Sequence, residues 1–62
     1  MPVVHVNMYS GRPKEVKANM AKAITEAISK TANIPDSATT VIFHDIEKSD
    51  WASGGVLASD QQ

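Results

Sequence analysis

The sequence of 62 residues contains no cysteine, only three prolines and three glycines, and one residue each of phenylalanine, tryptophan and tyrosine. Without cysteine it can form neither a disulfide bond nor a thiolate metal site. A domain this short buries only about 60% of the surface that its unfolded chain exposes, so it usually needs disulfides, a metal or partner subunits. Association with further copies is the remedy that this composition favours, and we expect residues 1–62 to form one domain.

The sequence also lacks an excess of one charge and any long apolar run. Six basic and seven acidic residues give a formal net charge of -1, and no basic stripe or aromatic cluster is present. Nucleic acids and anionic membranes are therefore poor candidate partners. No segment approaches the roughly 20 apolar residues of a membrane span, and the N-terminus lacks the pattern of a secretion signal. We expect a cytoplasmic location.

Hydrophobic periodicity predicts the first two elements. Alternation of apolar and polar residues over positions 3–8 predicts a strand. A helix is predicted from Pro13, a residue suited to the first helical position, to about Ala32, where Asn33 can end it. The apolar face of this helix is predicted to consist of Val16, Met20, Ala23, Ile24, Ala27 and Ile28.

The second half of the chain predicts a further strand and a hairpin. β-Branched and aromatic residues over positions 39–44 favour a strand covered on both sides, parallel to the first in a right-handed βαβ unit. After a polar stretch over 45–50, a hairpin is predicted over 51–57 with its turn at Gly54 and Gly55. Such a hairpin is hardly stable alone, so we expect it to pack on a neighbouring subunit. The predicted class is α/β (α+β), with a single βαβ unit and a C-terminal β-hairpin.

The most informative single position is Pro2, which follows the initiator methionine directly. Within a chain the nitrogen of proline belongs to an amide and has no proton to exchange. An N-terminal proline instead carries a titratable amine that its own ring holds rigidly. Removal of Met1 would therefore expose a potential general base. Many proteins begin with Met-Pro only because proline at the second position suits the removal of methionine. The interpretation of Pro2 as a base therefore depends on the rest of the sequence.

A combination of features in a fixed order spans almost the whole chain. The features are Met1-Pro2 followed by Val6, the Gly11-Arg12 pair, an amphipathic helix, a second strand, and an aromatic residue before Gly54-Gly55. In this combination the chain resembles the 4-oxalocrotonate tautomerase family. The resemblance implies a homohexamer built as a trimer of dimers. It also implies an enzyme that isomerises small unsaturated keto acids and enols without a cofactor.

The resemblance also implies roles for individual residues. Pro2 aligns with the amino-terminal proline that moves a proton between substrate carbons, and Arg12 aligns with an arginine that binds a substrate carboxylate. Trp51 stands where the family usually has phenylalanine, in an apolar wall that helps to keep the proline nitrogen unprotonated. Tyr9 lies beside the loop that bears Arg12, and we expect it either to contact substrate or to pack at an interface.

Thr40 departs from the pattern of this family, whose best-studied members have a second arginine at the corresponding position. A threonine donates one neutral hydrogen bond and cannot replace a guanidinium group. We therefore expect that the substrate has a single carboxylate or a less charged carbonyl group, and that the Pro2 amine keeps a higher pKa.

Two classes of function remain open. The first is keto-enol tautomerisation with Pro2 as general base. The second is a non-catalytic oligomeric module for assembly or binding, which Thr40 and a retained Met1 would favour. Within the enzyme class, hydration, dehalogenation or decarboxylation would instead use Pro2 as an acid. His5 and His44 could approach each other, but two histidines without a third ligand favour ordinary packed or exposed side chains over a metal site.

Overall fold

The computed structural model describes residues 1–61, in which a long helix lies over a pair of parallel strands. Strand β1 spans Val3–Tyr9 and strand β2 spans Thr40–Ile46. They pair in parallel and in register from their first residues to their last. Helix α1, Lys14–Ala32, connects them. This arrangement confirms the predicted βαβ unit.

Helix α1 is bounded by two residues with non-helical backbones. Pro13 precedes the helix in an extended conformation (φ -69°, ψ 157°), so its predicted place as the first helical residue is wrong by one position. Its carbonyl accepts hydrogen bonds from the N–H groups of Val16 and Lys17, as expected of a residue that caps a helix. Asn33 adopts the left-handed conformation (φ 57°, ψ 51°), and its N–H donates to the Ser29 carbonyl. The predicted helix end is therefore confirmed.

The face of α1 that packs on the strands is rotated relative to the face that the sequence predicts. The predicted residues Val16, Met20, Ile24 and Ile28 are half-buried, and so are their neighbours Lys17, Ala21, Thr25 and Ser29. Ala23 and Ala27, which were predicted on the same face, are exposed. The strands therefore cover the side of the helix that carries Lys17 and Ala21, and Ala23 and Ala27 lie outside the contact.

Strand β2 starts one residue later than predicted. It continues to Ile46, since each residue of β1 pairs with a residue of β2. Asp45, which was predicted in a polar loop, therefore lies in the strand. Its carboxylate forms an ion pair with the Lys17 ammonium of α1. A second polar contact joins the other end of the helix to the turn before β2, where the Ser29 hydroxyl donates to the Asp36 carboxylate at 2.5 Å.

The single chain covers only one face of the strand pair, so the prediction that β2 is covered on both sides is wrong for an isolated chain. The opposite face, which we call the outer face, leaves Val3 51%, Tyr9 39% and Ile42 38% exposed. Among residues 1–61, Met8 is the only buried apolar residue, with 9% of its surface exposed, and it faces the helix. A chain with so small a core has apolar surface to bury against a partner.

The C-terminal segment forms the predicted hairpin. Strands β3, Ala52–Ser53, and β4, Val56–Leu57, are antiparallel. Between them, Gly54 and Gly55 have φ values of 60° and 83°, a conformation that glycine adopts without steric cost. No helix within the described part of the chain has the length and apolar character that crossing a membrane requires.

Candidate active site

Pro2 lies at one end of the strand pair, immediately before β1. Its side chain is half-buried, and its carbonyl accepts a hydrogen bond from the N–H of Thr40 at 3.0 Å. Met1 extends beyond it with 95% of its surface exposed. The backbone of Pro2 is thus fixed against β2, while the residue attached to its nitrogen is accessible from solvent.

Arg12 follows the turn that leaves the other end of β1. The N–H of Ser10 donates to the Ile46 carbonyl at 3.0 Å and holds the turn against β2. Gly11 has a φ of 109°, a conformation that side chains disfavour. Arg12 itself is exposed, and no carboxylate of residues 1–61 forms an ion pair with it. Its guanidinium group is therefore available to an anionic ligand.

Tyr9 and Trp51 form an aromatic pair at the same end of the molecule as Arg12. Their rings meet edge to face, with centroids 4.8 Å apart and planes at 63°, which is an attractive arrangement. Trp51 is half-buried, and its carbonyl accepts a hydrogen bond from the Ala58 N–H at 2.6 Å, which closes the hairpin. This end of the molecule therefore presents an ordered aromatic surface.

Lys48 joins the aromatic pair and was not predicted from the sequence. Its ammonium lies 5.4 Å from the centroid of the Tyr9 ring, within the range of a cation-π interaction. The 3-10 turn Lys48–Asp50 places it there. The sequence around it is simply polar, so no local pattern indicates that this lysine lies over an aromatic ring.

The predicted site residues form two groups at opposite ends of the strand pair. Pro2 and Thr40 lie where the strands begin, whereas Tyr9, Trp51 and Arg12 lie at or beyond the point where β1 ends. Pro2 and Tyr9 are separated by roughly 23 Å, since an extended strand rises about 3.3 Å per residue. The described residues of one chain enclose no pocket. One chain therefore brings Pro2 beside Thr40 and Tyr9 against Trp51, but it does not unite the two ends.

His5 and His44 contact each other on the outer face. Nδ1 of His5 lies 2.9 Å from Nε2 of His44. The ring centroids are 5.2 Å apart and the planes differ by 17°, so the two nitrogens lie between the rings on the line that joins them. This geometry is a nearly coplanar N–H···N hydrogen bond and not a face-to-face stack. Within the described residues, no group of three or more side chains could hold a metal ion.

Known proteins of similar length resemble this chain from end to end. The family model described as "Tautomerase enzyme" matches residues 2–61. A probable tautomerase of Lactococcus lactis subsp. lactis is 51% identical over 57 residues, which cover 92% of this chain and 93% of the relative.

Solved structures have the same fold. A homologue of 4-oxalocrotonate tautomerase is 35% identical, with a TM-score of 0.89 over 100% of this chain and 98% of its own. A heterohexameric 4-oxalocrotonate tautomerase from Chloroflexus aurantiacus is 24% identical and has a TM-score of 0.92 over 100% of both chains. Because the family model covers almost every residue from Pro2 onward, the chain belongs to the tautomerase family.

Proposed function

We propose that the protein is a cofactor-independent keto-enol tautomerase, an isomerase whose general base is the nitrogen of Pro2 after removal of Met1. The observation that carries the proposal is the position of Pro2. The match to the tautomerase family begins at this residue, and a hydrogen bond from Thr40 fixes its carbonyl while Met1 stays exposed. After removal of Met1, a rigid Pro2 would be held at the start of the strand pair with its amine no longer part of a peptide bond.

The proposed substrate is a small unsaturated acid with a 2-keto or 2-hydroxy group. The guanidinium group of Arg12 can bind a carboxylate through two parallel hydrogen bonds. Thr40, at the Pro2 end, offers only a neutral hydroxyl, which favours a substrate that has a single carboxylate or a less charged carbonyl group. Trp51 and Tyr9 provide the apolar surface that the unsaturated carbon chain would contact.

The proposed reaction moves one proton and consumes nothing. The Pro2 nitrogen removes a proton from the substrate, either from the 2-hydroxyl group of an enol or from a carbon beside the carbonyl. The released electron pair shifts along the conjugated system. Arg12 stabilises the negative charge that develops at the oxygens. Pro2 then returns the proton to a different atom, so product and substrate have the same composition.

The base must be partly unprotonated at the working pH. An α-amino group ordinarily titrates near 8, and a proline amine is more basic. Burial against the aromatic pair and proximity to the Arg12 guanidinium would both lower the pKa of the Pro2 amine, because each disfavours a second positive charge. With threonine at position 40 in place of a second cation, we expect the pKa to be lowered less.

The proposal requires more than one copy of the chain, because Pro2 and Arg12 lie at opposite ends of the strand pair. The Pro2 end of one copy would meet the Arg12 end of another, and the exposed apolar residues of the outer face would be buried in the assembly. The heterohexameric relative supports assembly of this fold. We propose a homohexamer built as a trimer of dimers, acting in the cytoplasm.

Intact mass and kinetics together test the proposal. The protein from its native host should lack one methionine. Rates would be measured with phenylenolpyruvate and 2-hydroxymuconate for the wild type, Pro2→Ala, Arg12→Ala and the control Lys22→Ala, whose side chain lies on the exposed face of α1. We expect Pro2→Ala to lower kcat at least about 100-fold, as for loss of a general base, and Arg12→Ala mainly to raise KM. Equal rates in all four proteins, or full activity with Met1 retained, would refute the mechanism.

A further inference from the structure

We infer that the hydroxyl of Thr39 is a positioning group for the Pro2 amine, which it holds by accepting a hydrogen bond from the protonated nitrogen. The inference rests on the proposed function in one respect, since it concerns the nitrogen that removal of Met1 would free. It adds a residue that neither the sequence nor the resemblance to the family indicated.

The first observation is an unpaired hydroxyl. Within residues 1–61, Oγ1 of Thr39 is a buried side-chain atom that has no hydrogen-bond partner. The backbone N–H of the same residue is satisfied by the Asp36 carbonyl at 3.2 Å. A buried hydroxyl without a partner is unfavourable and uncommon in a native protein, so a partner is to be sought nearby.

The second observation is the register of the strands. Val4 pairs with Val41, and both side chains are half-buried on the face that α1 covers. Pro2 and Thr39 stand two residues earlier, immediately before β1 and β2, and both are half-buried. The alternation of side chains along extended backbone places them on the same face as Val4 and Val41. The hydrogen bond from the Thr40 N–H to the Pro2 carbonyl, at 3.0 Å, holds the register at this point.

These positions make Thr39 and Pro2 neighbours across the strand pair. Adjacent strands lie about 4.8 Å apart, a gap that a threonine hydroxyl can span by rotation about χ1. While Met1 is attached, the Pro2 nitrogen is an amide with no hydrogen to donate. Removal of Met1 changes that nitrogen into an amine, which becomes a hydrogen-bonding group beside the unpaired hydroxyl.

The hydroxyl acts on the two protonation states unequally. It can accept a hydrogen bond from the protonated amine or donate one to the neutral amine. Hydrogen bonds that involve a charged group are roughly twice as strong as neutral ones. Thr39 therefore stabilises the protonated form more, keeps the amine more basic than an apolar residue would, and orients its lone pair when the proton leaves.

Few other titratable groups lie near this end of the molecule. On the elements that pack around Pro2 they are Asp36, whose carboxylate accepts from the Ser29 hydroxyl, and Lys30 in the last turn of α1. In the proposed assembly Arg12 of a second copy joins them. Replacement of Thr39 changes none of these groups, so an altered titration of Pro2 would report on the hydroxyl.

The test is an NMR titration of the Pro2 nitrogen. Total chemical synthesis of residues 2–62 with a 15N label in Pro2 supplies the free amine independently of any host. The variants are Thr39→Val, Thr39→Ala as a second hydroxyl-free side chain, and Thr39→Ser, which keeps the hydroxyl. Thr25→Val, a change of the same kind at a half-buried position in the middle of α1, is the matched control.

We expect Thr39→Val and Thr39→Ala to lower the midpoint of the titration by roughly half to one pH unit. Thr39→Ser and Thr25→Val should keep the wild-type midpoint. The acidic limb of the pH profile of kcat/KM should move with it. An unchanged midpoint in both hydroxyl-free variants overturns the inference, and so does an equal shift in Thr39→Ser, which would reflect packing. Because the titration needs no turnover, an inactive wild type would refute the proposed function while the Thr39 result still decided the inference.

Discussion

Pro2 and Arg12 lie at opposite ends of the parallel strand pair, with the whole of β1 between them. Pro2 enters β1 beside Thr40, and Arg12 follows the turn that leaves it. A strand of seven residues is rigid and extended, so no change of side-chain conformation brings the two residues of one chain to the same small substrate. Catalysis by both residues therefore requires a site that is shared between copies.

Mixing two variants that are each expected to be impaired at low substrate concentration tests this shared site. Pro2→Ala chains still supply Arg12, and Arg12→Ala chains still supply Pro2. If each site takes the two residues from different copies, random assembly of equal amounts should restore about one quarter of wild-type activity. The measurement is the isomerisation rate after the two variants are unfolded and refolded together, with each refolded alone as a control. A mixture no more active than its components would show that one copy supplies both residues.

Replacement of Trp51 should affect both stability and activity. Trp51→Ala removes the edge-to-face contact with Tyr9, which we expect to lower the free energy of unfolding by about 0.5–1.5 kcal/mol beyond the lost burial. It should also lower kcat/KM by roughly tenfold or more, because water would reach the base and change its pKa. Trp51→Phe preserves an apolar ring and should retain most of both. Urea unfolding and steady-state kinetics measure the two effects, and an Ala variant equal to wild type in both would contradict the assigned role.

The end of α1 depends on the left-handed conformation of Asn33. Asn33→Ala should lower the free energy of unfolding by about 1 kcal/mol, because a β-carbon without a polar group disfavours that backbone conformation. Asn33→Gly should be neutral or slightly stabilising. Asn19→Ala, the same change at an exposed position within α1, is the control and should stabilise by a few tenths of a kcal/mol. Urea unfolding measures all three, and equal effects of the two alanine changes would be inconsistent with this role.

The ion pair between Lys17 and Asp45 should contribute little to stability. Its side chains are 24% and 42% exposed, so solvent screens the attraction. Asp45→Asn should lower the free energy of unfolding by less than about 1 kcal/mol in dilute buffer. The difference from wild type should nearly vanish in about 1 M salt. Asp60→Asn, at an exposed carboxylate near the C-terminus, controls for the change of net charge. A large loss that salt does not reduce would mean that the pair organises the contact between α1 and β2.

Most of the fold follows from local patterns. Alternation predicted β1, the apolar period predicted α1, and Gly54-Gly55 predicted the turn of the hairpin, because each pattern depends on neighbours along the chain. The predictions are wrong at residues whose structure depends on contact with another element. Asp45 is polar and suggests a loop, yet it lies in β2 because it pairs with Met8. Ala23 matches the helical period but is exposed, because the way the helix packs on the strand pair sets which side of the helix is covered.

The candidate site likewise contains residues that the sequence indicates and contacts that only the structure reveals. The sequence and its resemblance to a family suggest Pro2, Arg12 and Trp51 as candidate site residues, because the chemistry of an N-terminal amine, a guanidinium group or an aromatic ring belongs to the residue itself. No local pattern indicated that Lys48 lies over Tyr9 or that His5 and His44 are hydrogen-bonded. Those contacts join residues that are distant along the chain or separated by a turn.

The sequence by itself determined the elements of this protein and the reactive groups that it carries. Only the tertiary structure decided that Thr39 stands beside Pro2 and that Arg12 lies at the far end of the strand pair. The physical reason is that propensity and side-chain chemistry are local properties. Strand register, by contrast, depends on how two distant segments pair and pack. A shift of one residue would turn every side chain of a strand to the other face.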